Sequence, residues 1–371
     1  MRAAQSLLLV VLLALTVQVI DAKKCKAKSS STLSANSVAS TSGSSSDATN
    51  LASSSNDSSN SSSSSSNSTS SGNSSSISVS GMSPNGKKAG VAGGQSVKFL
   101  GDAIGAWLDW GAAGANDHSD SSAMYVPMLW GMGNDDANTG VSSQPNSKRL
   151  SDFKKLETGK FKYMIGFNEM DFHGTGSSGK MDVSAAANMW DELMKKHKDA
   201  GTKLISPSMA MQKDEKMLTP FLSKVSVKPD CIGVHIFQDS IDGVKGVLDY
   251  YEQKYGDEYG CLWITEFAYA NYQNGAHNYG SVSQTNALAQ EAVKLFDQSN
   301  LVKAYFISDA DNGNNGQLTP NHSGSSLSSL GSTYKAAISS SSSKRALNHA
   351  HRHIRRAAAA SRRSHVAGES S

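Results

Sequence analysis

The sequence is short of the residues that build a core, and unevenly so. Only 38% of the 371 residues are hydrophobic and 7% are aromatic, which is low for a chain folded along its whole length. The ten Phe, five Trp and eleven Tyr all lie between Phe99 and Tyr334, and the seven prolines between Pro84 and Pro320. Any core able to offset chain entropy must lie in that span. No Gly-X-Y period and no sustained heptad occurs, which excludes collagen-like and coiled-coil architectures. Cysteine is scarce, and Cys25, Cys231 and Cys261 make an odd count, so one thiol is expected to be free, modified or paired outside the chain. There is no His-Glu-X-X-His, no Cys/His set at zinc spacing in the aromatic span and no phosphate loop, so no metal or organic cofactor is expected.

The two ends carry the compositional bias. Arg2 followed by the apolar run Leu7–Leu15 and closed by Ala22 reads as an export signal over 1–22. The run is too short for a comfortable membrane span of about 20 apolar residues, and a retained signal anchor is the competing reading. Residues 23–83 are mostly serine and are expected to be disordered. Acceptor sequons at Asn56, Asn60, Asn67 and Asn73, with another at Asn321, mark the segment as a glycosylated stalk of a secreted, extracellular or wall-bound monomer. Residues 339–371 hold seven Lys or Arg against Glu369 alone, so the formal charge of +3 belongs to this tail and the rest of the chain is mildly acidic. The tail has no aromatic residue for base stacking, which argues against a nucleic-acid partner. A solvated tail is the plain reading, and contact with anionic wall polymer the functional one. His349, His351 and His353 alternate on it, a pattern that makes no metal site by itself.

Between these ends, residues 84–338 alternate short apolar runs with amphipathic stretches. Strands are predicted at Lys88–Ala92, Ala103–Leu108, Tyr125–Leu129, Tyr163–Phe167, Lys203–Ser206, Ile232–Phe237, Leu262–Thr265 and Ala304–Ile307. Helices are predicted at Asp182–Ala200, capped by Asp182 and stopped by Gly201, and at Ile241–Lys254 and Ser283–Asn300. Eight strands with helical crossovers in about 250 residues point to an α/β fold of the (β/α)8 TIM-barrel type. An open doubly wound sheet is the alternative, but no Gly-X-Gly-X-X-Gly follows the first strand. Cys231 and Cys261 each precede a strand; if those strands are parallel neighbours, their starts are about 4.8 Å apart and a disulfide is within reach. Two buried free thiols are the other possibility.

A barrel places its chemistry at the C-terminal ends of its strands. The fourth predicted strand ends in Asn168-Glu169-Met170-Asp171 and the seventh in Glu266-Phe267. Two carboxylates on one rim are what glycoside hydrolysis uses, one to protonate the leaving oxygen and one to attack the anomeric carbon or activate water. Trp130 lies on the same rim as a candidate stacking platform that also reads as a core Trp, Tyr269 and Tyr272 are further candidates for the cleft just past Glu266, and His235 ends the sixth strand.

Tyr125–Trp130, Gly166–Asp171, Ser206-Pro207, Val234-His235 and Trp263–Phe267 resemble, in order, the signature motifs of glycoside hydrolase family 128, fungal proteins with an alkali-sensitive-linkage-protein type catalytic domain. The resemblance implies a retaining enzyme acting on β-1,3-glucan, with Glu169 as acid/base, Glu266 as nucleophile, Asn168 on the sugar 2-hydroxyl and His235 orienting Glu266 or touching sugar. Three departures accompany it. Met170 stands where proline is usual, His235-Ile236-Phe237 replaces His-Trp-Tyr and so lacks a phenol, and Ile307-Ser308 replaces an aromatic pair. A wall-associated β-glucan-binding protein with little turnover is therefore the second expectation, and another glycan specificity the third.

Overall fold

The computed structural model describes residues 81–114, 118, 121–135, 145–270, 280–308 and 325–340. The signal, the serine-rich stretch through Ser80 with Cys25, the five sequons, Tyr272 and the basic tail from residue 341 lie outside the described residues.

Among the described residues, eight strands and seven α-helices follow one another: β1 (Ala89–Ala92), α1 (Val97–Leu100), β2 (Ala106–Leu108), β3 (Met124–Tyr125), α2 (Asn146–Lys154), β4 (Tyr163–Ile165), α3 (Val183–Asp199), β5 (Lys203–Ile205), α4 (Leu218–Lys224), β6 (Ile232–Gln238), α5 (Ile241–Tyr259), β7 (Leu262–Tyr269), α6 (Val282–Gln298), β8 (Val302–Ser308) and α7 over 329–340. Every strand pairing is parallel. Six strands form one sheet in the order β3-β2-β1-β8-β7-β6, and β4 pairs with β5. Among the described residues the two sheets meet at two isolated bridges, Met128 to Ile165 and Ile205 to Cys231. The strands thus take the cyclic order of a (β/α)8 barrel without a continuous ladder around it. Proline explains one break: Pro127 has no N–H to donate, so β3 is short, while its carbonyl accepts from Ile165 N and Leu129 N reaches Ile165 O. β2 begins later than expected because Gly101–Ala103 form a 3-10 turn.

Alternation along the strands divides the core in two. Ala92, Ala106, Val126, Met128, Tyr163, Ile165, Cys231, Trp263 and Phe306 belong to the smaller buried cluster, which fills the ring. Gly81 and Met82 close its N-terminal end, accepting hydrogen bonds from Tyr163 Oη and from Trp263 Nε1. Cys231 and Cys261, at the starts of β6 and β7, are joined by a disulfide with Cα atoms 4.8 Å apart. The larger cluster lies between strands and helices. In α3 the residues Ala186, Trp190, Leu193 and His197 face it, as their spacing predicts, and Asp182 caps the helix by accepting from Ala185 N. Among the described residues no helix is long and apolar enough to cross a membrane.

Gly166 connects this packing to the rim. It follows β4, and a Cβ built on it would come 2.7 Å from the Trp190 ring and 2.8 Å from Pro207 N. Trp190 is fully buried and donates to Val227 O at 2.7 Å, so its ring has nowhere to go. Gly166→Ala is therefore expected to lower stability in urea unfolding by about 1–3 kcal/mol through overpacking, against about 1 kcal/mol for removing the α3 cap in Asp182→Ala.

Candidate functional site

The turn after β4 is built to present Glu169. Asn168 N donates to Trp130 O, Ser178 Oγ donates to Asn168 O, Glu169 N donates to Ser208 Oγ at 3.3 Å, and Phe172 N closes the turn on Glu169 O at 3.0 Å. These bonds hold Glu169 at φ 45°, a region that residues with a Cβ avoid and that persists where surroundings over-determine it. Buried Met170, in the place of the family's proline, anchors the turn through its carbonyl, which accepts from Met181 N.

Glu266 reaches the same rim by a different device. Between Ile264 and Phe267, β7 carries one residue more than either neighbour: Val234 pairs with Ile264 but His235 with Glu266, and Tyr305 with Ile264 but Ile307 with Phe267. This bulge brings Glu266 level with His235. Such irregularities re-aim side chains beside active sites.

His235 joins the two glutamates. It is fully buried, with Nδ1 3.0 Å from Glu169 Oε1 in hydrogen-bond geometry and Nε2 3.4 Å from Glu266 Oε1. The second contact is electrostatic, since Nε2 has no hydrogen-bond partner among the described residues. Burial alone disfavours the imidazolium; the charge of Glu266, the hydrogen bond to Glu169 and the charges of Glu169 and Asp171 outweigh it, and the His235 pKa is raised. Burial also raises that of Glu266, aided by the Glu169 charge and opposed by His235, Trp110 and Ser308.

Two groups at Glu266 were not anticipated. Trp110 Nε1 donates to Glu266 Oε1 at 2.7 Å, and the Ser308 hydroxyl, where the family pattern has an aromatic, bonds the same carboxylate. Trp110 stands at φ 58°, two residues past β2. Its carbonyl accepts from Arg149 Nη1. Nearby, Tyr125 donates to Asp109 Oδ1 at 2.5 Å and to Gly111 O at 2.8 Å. An aromatic just beyond the second strand, on the rim where both glutamates were placed, was the available signal for Trp110.

Other expectations fare differently. Asn168 lies beside Glu169, 7% exposed, and its Oδ1 has no partner among the described residues. His235 is fully buried, with its two ring nitrogens beside the two glutamates. Trp130 is not an open platform: it is 4% exposed, with the Arg149 guanidinium 4.4 Å over its ring. Tyr269 ends β7 buried, so near Gly280 that a Cβ there would come 2.6 Å from its ring. Tyr272 lies outside the described residues. Phe237 sits edge-on to His235 at 5.9 Å, where the family's tyrosine would have supplied a phenol.

Residues 85–334 match the family model described as the glycosyl hydrolase catalytic core. Among solved structures, the chain is similar to a GH128 subgroup VII oligosaccharide-binding protein from Cryptococcus neoformans, with 38% identity, TM-score 0.62, and 70% of this chain and 96% of that one covered. It is also similar to a subgroup VII oligosaccharide-binding protein from Trichoderma gamsii, with 33% identity, TM-score 0.63 and the same coverage. A subgroup V exo-β-1,3-glucanase from Cryptococcus neoformans shares the fold at 21% identity and TM-score 0.54, over 68% of this chain and 99% of that one. No curated protein matches the chain.

The His235–Glu266 pair has a consequence for pH. His235 gains stability from its carboxylates that is complete below its ordinary value of 6.5 and lost as pH rises through its higher folded value. Buried Glu266 favours its protonated form, so its ionisation costs the folded state increasingly above 4.5. Both effects have the same sign, since the folded state holds more protons than the unfolded. Unfolding free energy from urea melts should fall from about pH 5 to about pH 8, and Glu266→Gln should flatten that slope; an unchanged slope in the variant excludes the coupling.

Proposed function

We propose that this chain, which belongs to glycoside hydrolase family 128 within the glycosyl hydrolase catalytic core, is a secreted, wall-associated protein that binds β-1,3-linked gluco-oligosaccharides at the Glu169–Glu266 rim. The observation that carries this reading is His235. With Nδ1 on Glu169 Oε1 and Nε2 beside Glu266 Oε1, it fixes one oxygen of each carboxylate. Glu266 is further held by Trp110 and Ser308 and is only 6% exposed. Carboxylates and amides engaged on one side still accept or donate on the other, which is what hydroxyl recognition requires. Asn168 Oδ1, buried without a protein partner among the described residues, is matched to a sugar hydroxyl. The similar subgroup VII structures, named as oligosaccharide-binding proteins, support the ligand class.

Hydrolysis is the second reading, favoured by the retention of both glutamates on one rim. In it, Glu169 acts as acid/base and Glu266 as nucleophile of a retaining reaction, which calls for carboxyls about 5–5.5 Å apart. Export by the segment 1–22 and display on a glycosylated stalk over 23–83 belong to both readings.

Calorimetric titration with linear β-1,3-gluco-oligosaccharides should give saturable binding with no release of reducing ends. Asn168→Ala should weaken binding about two- to tenfold, the value of one hydrogen bond. Products that disappear in Glu266→Gln, with azide rescue of Glu169→Ala on an activated aryl glycoside, would establish hydrolysis instead.

A further inference from the structure

Two of the three large apolar side chains most exposed among the described residues stand on this same rim. Phe172 is 43% exposed and Met211 55% exposed. Phe172 is the closing residue of the turn that begins at Glu169, and the ends of such a turn lie within about 7 Å of each other. Met211 lies in the segment after β5. The carboxylate of Asp171 brings the two together, with Oδ1 accepting from Ala210 N at 2.8 Å and Oδ2 from Met211 N at 2.9 Å.

Neither exposure comes from a loosely held chain. Past Met211, the Gln212 side chain accepts from Phe237 N and Gln238 Nε2 and donates to Phe237 O, all at the end of β6. Tyr251 Oη donates to Gln212 O at 3.2 Å, and Gln212 is held at φ 25°. On the other side the chain folds back beneath Phe172 at Gly174, where a Cβ would come 2.9 Å from the ring. The ring is supported on one side while much of it remains in water. An apolar surface kept in water on a pinned backbone is open to a ligand with little ordering cost.

We propose that Phe172 and Met211 form an outlying subsite, taking one further pyranose of the gluco-oligosaccharide whose inner units lie at Glu169 and Glu266; this rests on the binding reading given above. The chemistry fits a sugar. One face of a glucopyranose presents C–H groups, which pack on the negative face of an aromatic ring, and an unbranched thioether adapts to the neighbouring ring edge. Continuity with Glu169 makes the occupant part of the same ligand. Four features define the ledge: an aromatic ring, a methionine, a carboxylate that clamps their backbones together and the glycine beneath the ring.

The test is the dependence of affinity on ligand length. The full chain is titrated calorimetrically with β-1,3-linked gluco-oligosaccharides of two to six units, alongside Phe172→Ala, Phe172→Trp and Met211→Ser. Phe172 and Met211 are exposed, so these variants leave the core intact. The wild type should gain affinity at the length that reaches the ledge. Phe172→Ala should remove that gain, a loss of about three- to tenfold for the longer sugars only, while Phe172→Trp keeps it. A Phe172→Ala length profile matching the wild type would overturn the subsite while leaving oligosaccharide binding in place. Equal loss at every length would assign Phe172 to the inner units instead. A wild type that binds none of the sugars would overturn the binding reading itself and the subsite with it. A concentration-dependent dimer abolished by Phe172→Ala would give the ledge to a second copy of the chain.

Discussion

A buried imidazole between two carboxylates is the constraint from which the site takes its shape. His235 is fully excluded from solvent, and a buried polar nitrogen is costly without a partner. The fold brings up a glutamate on each side, one in hydrogen-bond geometry with Nδ1 and the other as a charge 3.4 Å from Nε2. One arrives through an extra residue in β7 that sets Glu266 level with His235. The other arrives through a turn held at positive φ at Glu169 and fixed by hydrogen bonds to β5-side and loop groups. Each device costs local regularity, and each makes sense only if the meeting point matters. The indole of Trp110 completes the arrangement, and Arg149 grips its carbonyl.

The architecture was legible because parallel strands buried on both faces read as short continuous apolar runs; seven of the eight runs became strands, while Tyr125–Leu129 gave only Tyr125 and the bridge at Met128. Helix α3 was legible to its ends, since its cap, its stop and its buried face are each marked by residue type. The glutamate pair was legible from position, because each closes an apolar run. What escaped was set by tertiary packing. Trp130 has the right type and rim position for a platform, and only the fold shows Arg149 lying over it. Ser308 registered only as a missing aromatic, whereas in three dimensions its hydroxyl bonds Glu266. The short helix α2, which supplies Arg149, carries too weak an apolar pattern to stand out.

The departures from the family pattern form a connected set. Phe237 for tyrosine removes a phenol from the neighbourhood of His235, and Ser308 for an aromatic adds a hydroxyl at Glu266. Trp110, His235 and Ser308 are thus the polar partners of Glu266, and a carboxylate held by several groups is well ordered. Order of this kind favours binding, because groups that are already immobilised lose little entropy when a ligand engages them.

Catalysis makes a stricter demand on the same groups. It requires interactions that strengthen as the anomeric centre changes, and a proton that leaves one glutamate while the other forms a bond. A ring that ties both carboxylates into one titrating unit couples those events. Moving a proton at either glutamate changes the charge facing the other through His235, whose own pKa both of them raise. The network around His235 is therefore where a binding site and a hydrolase on this scaffold are expected to differ.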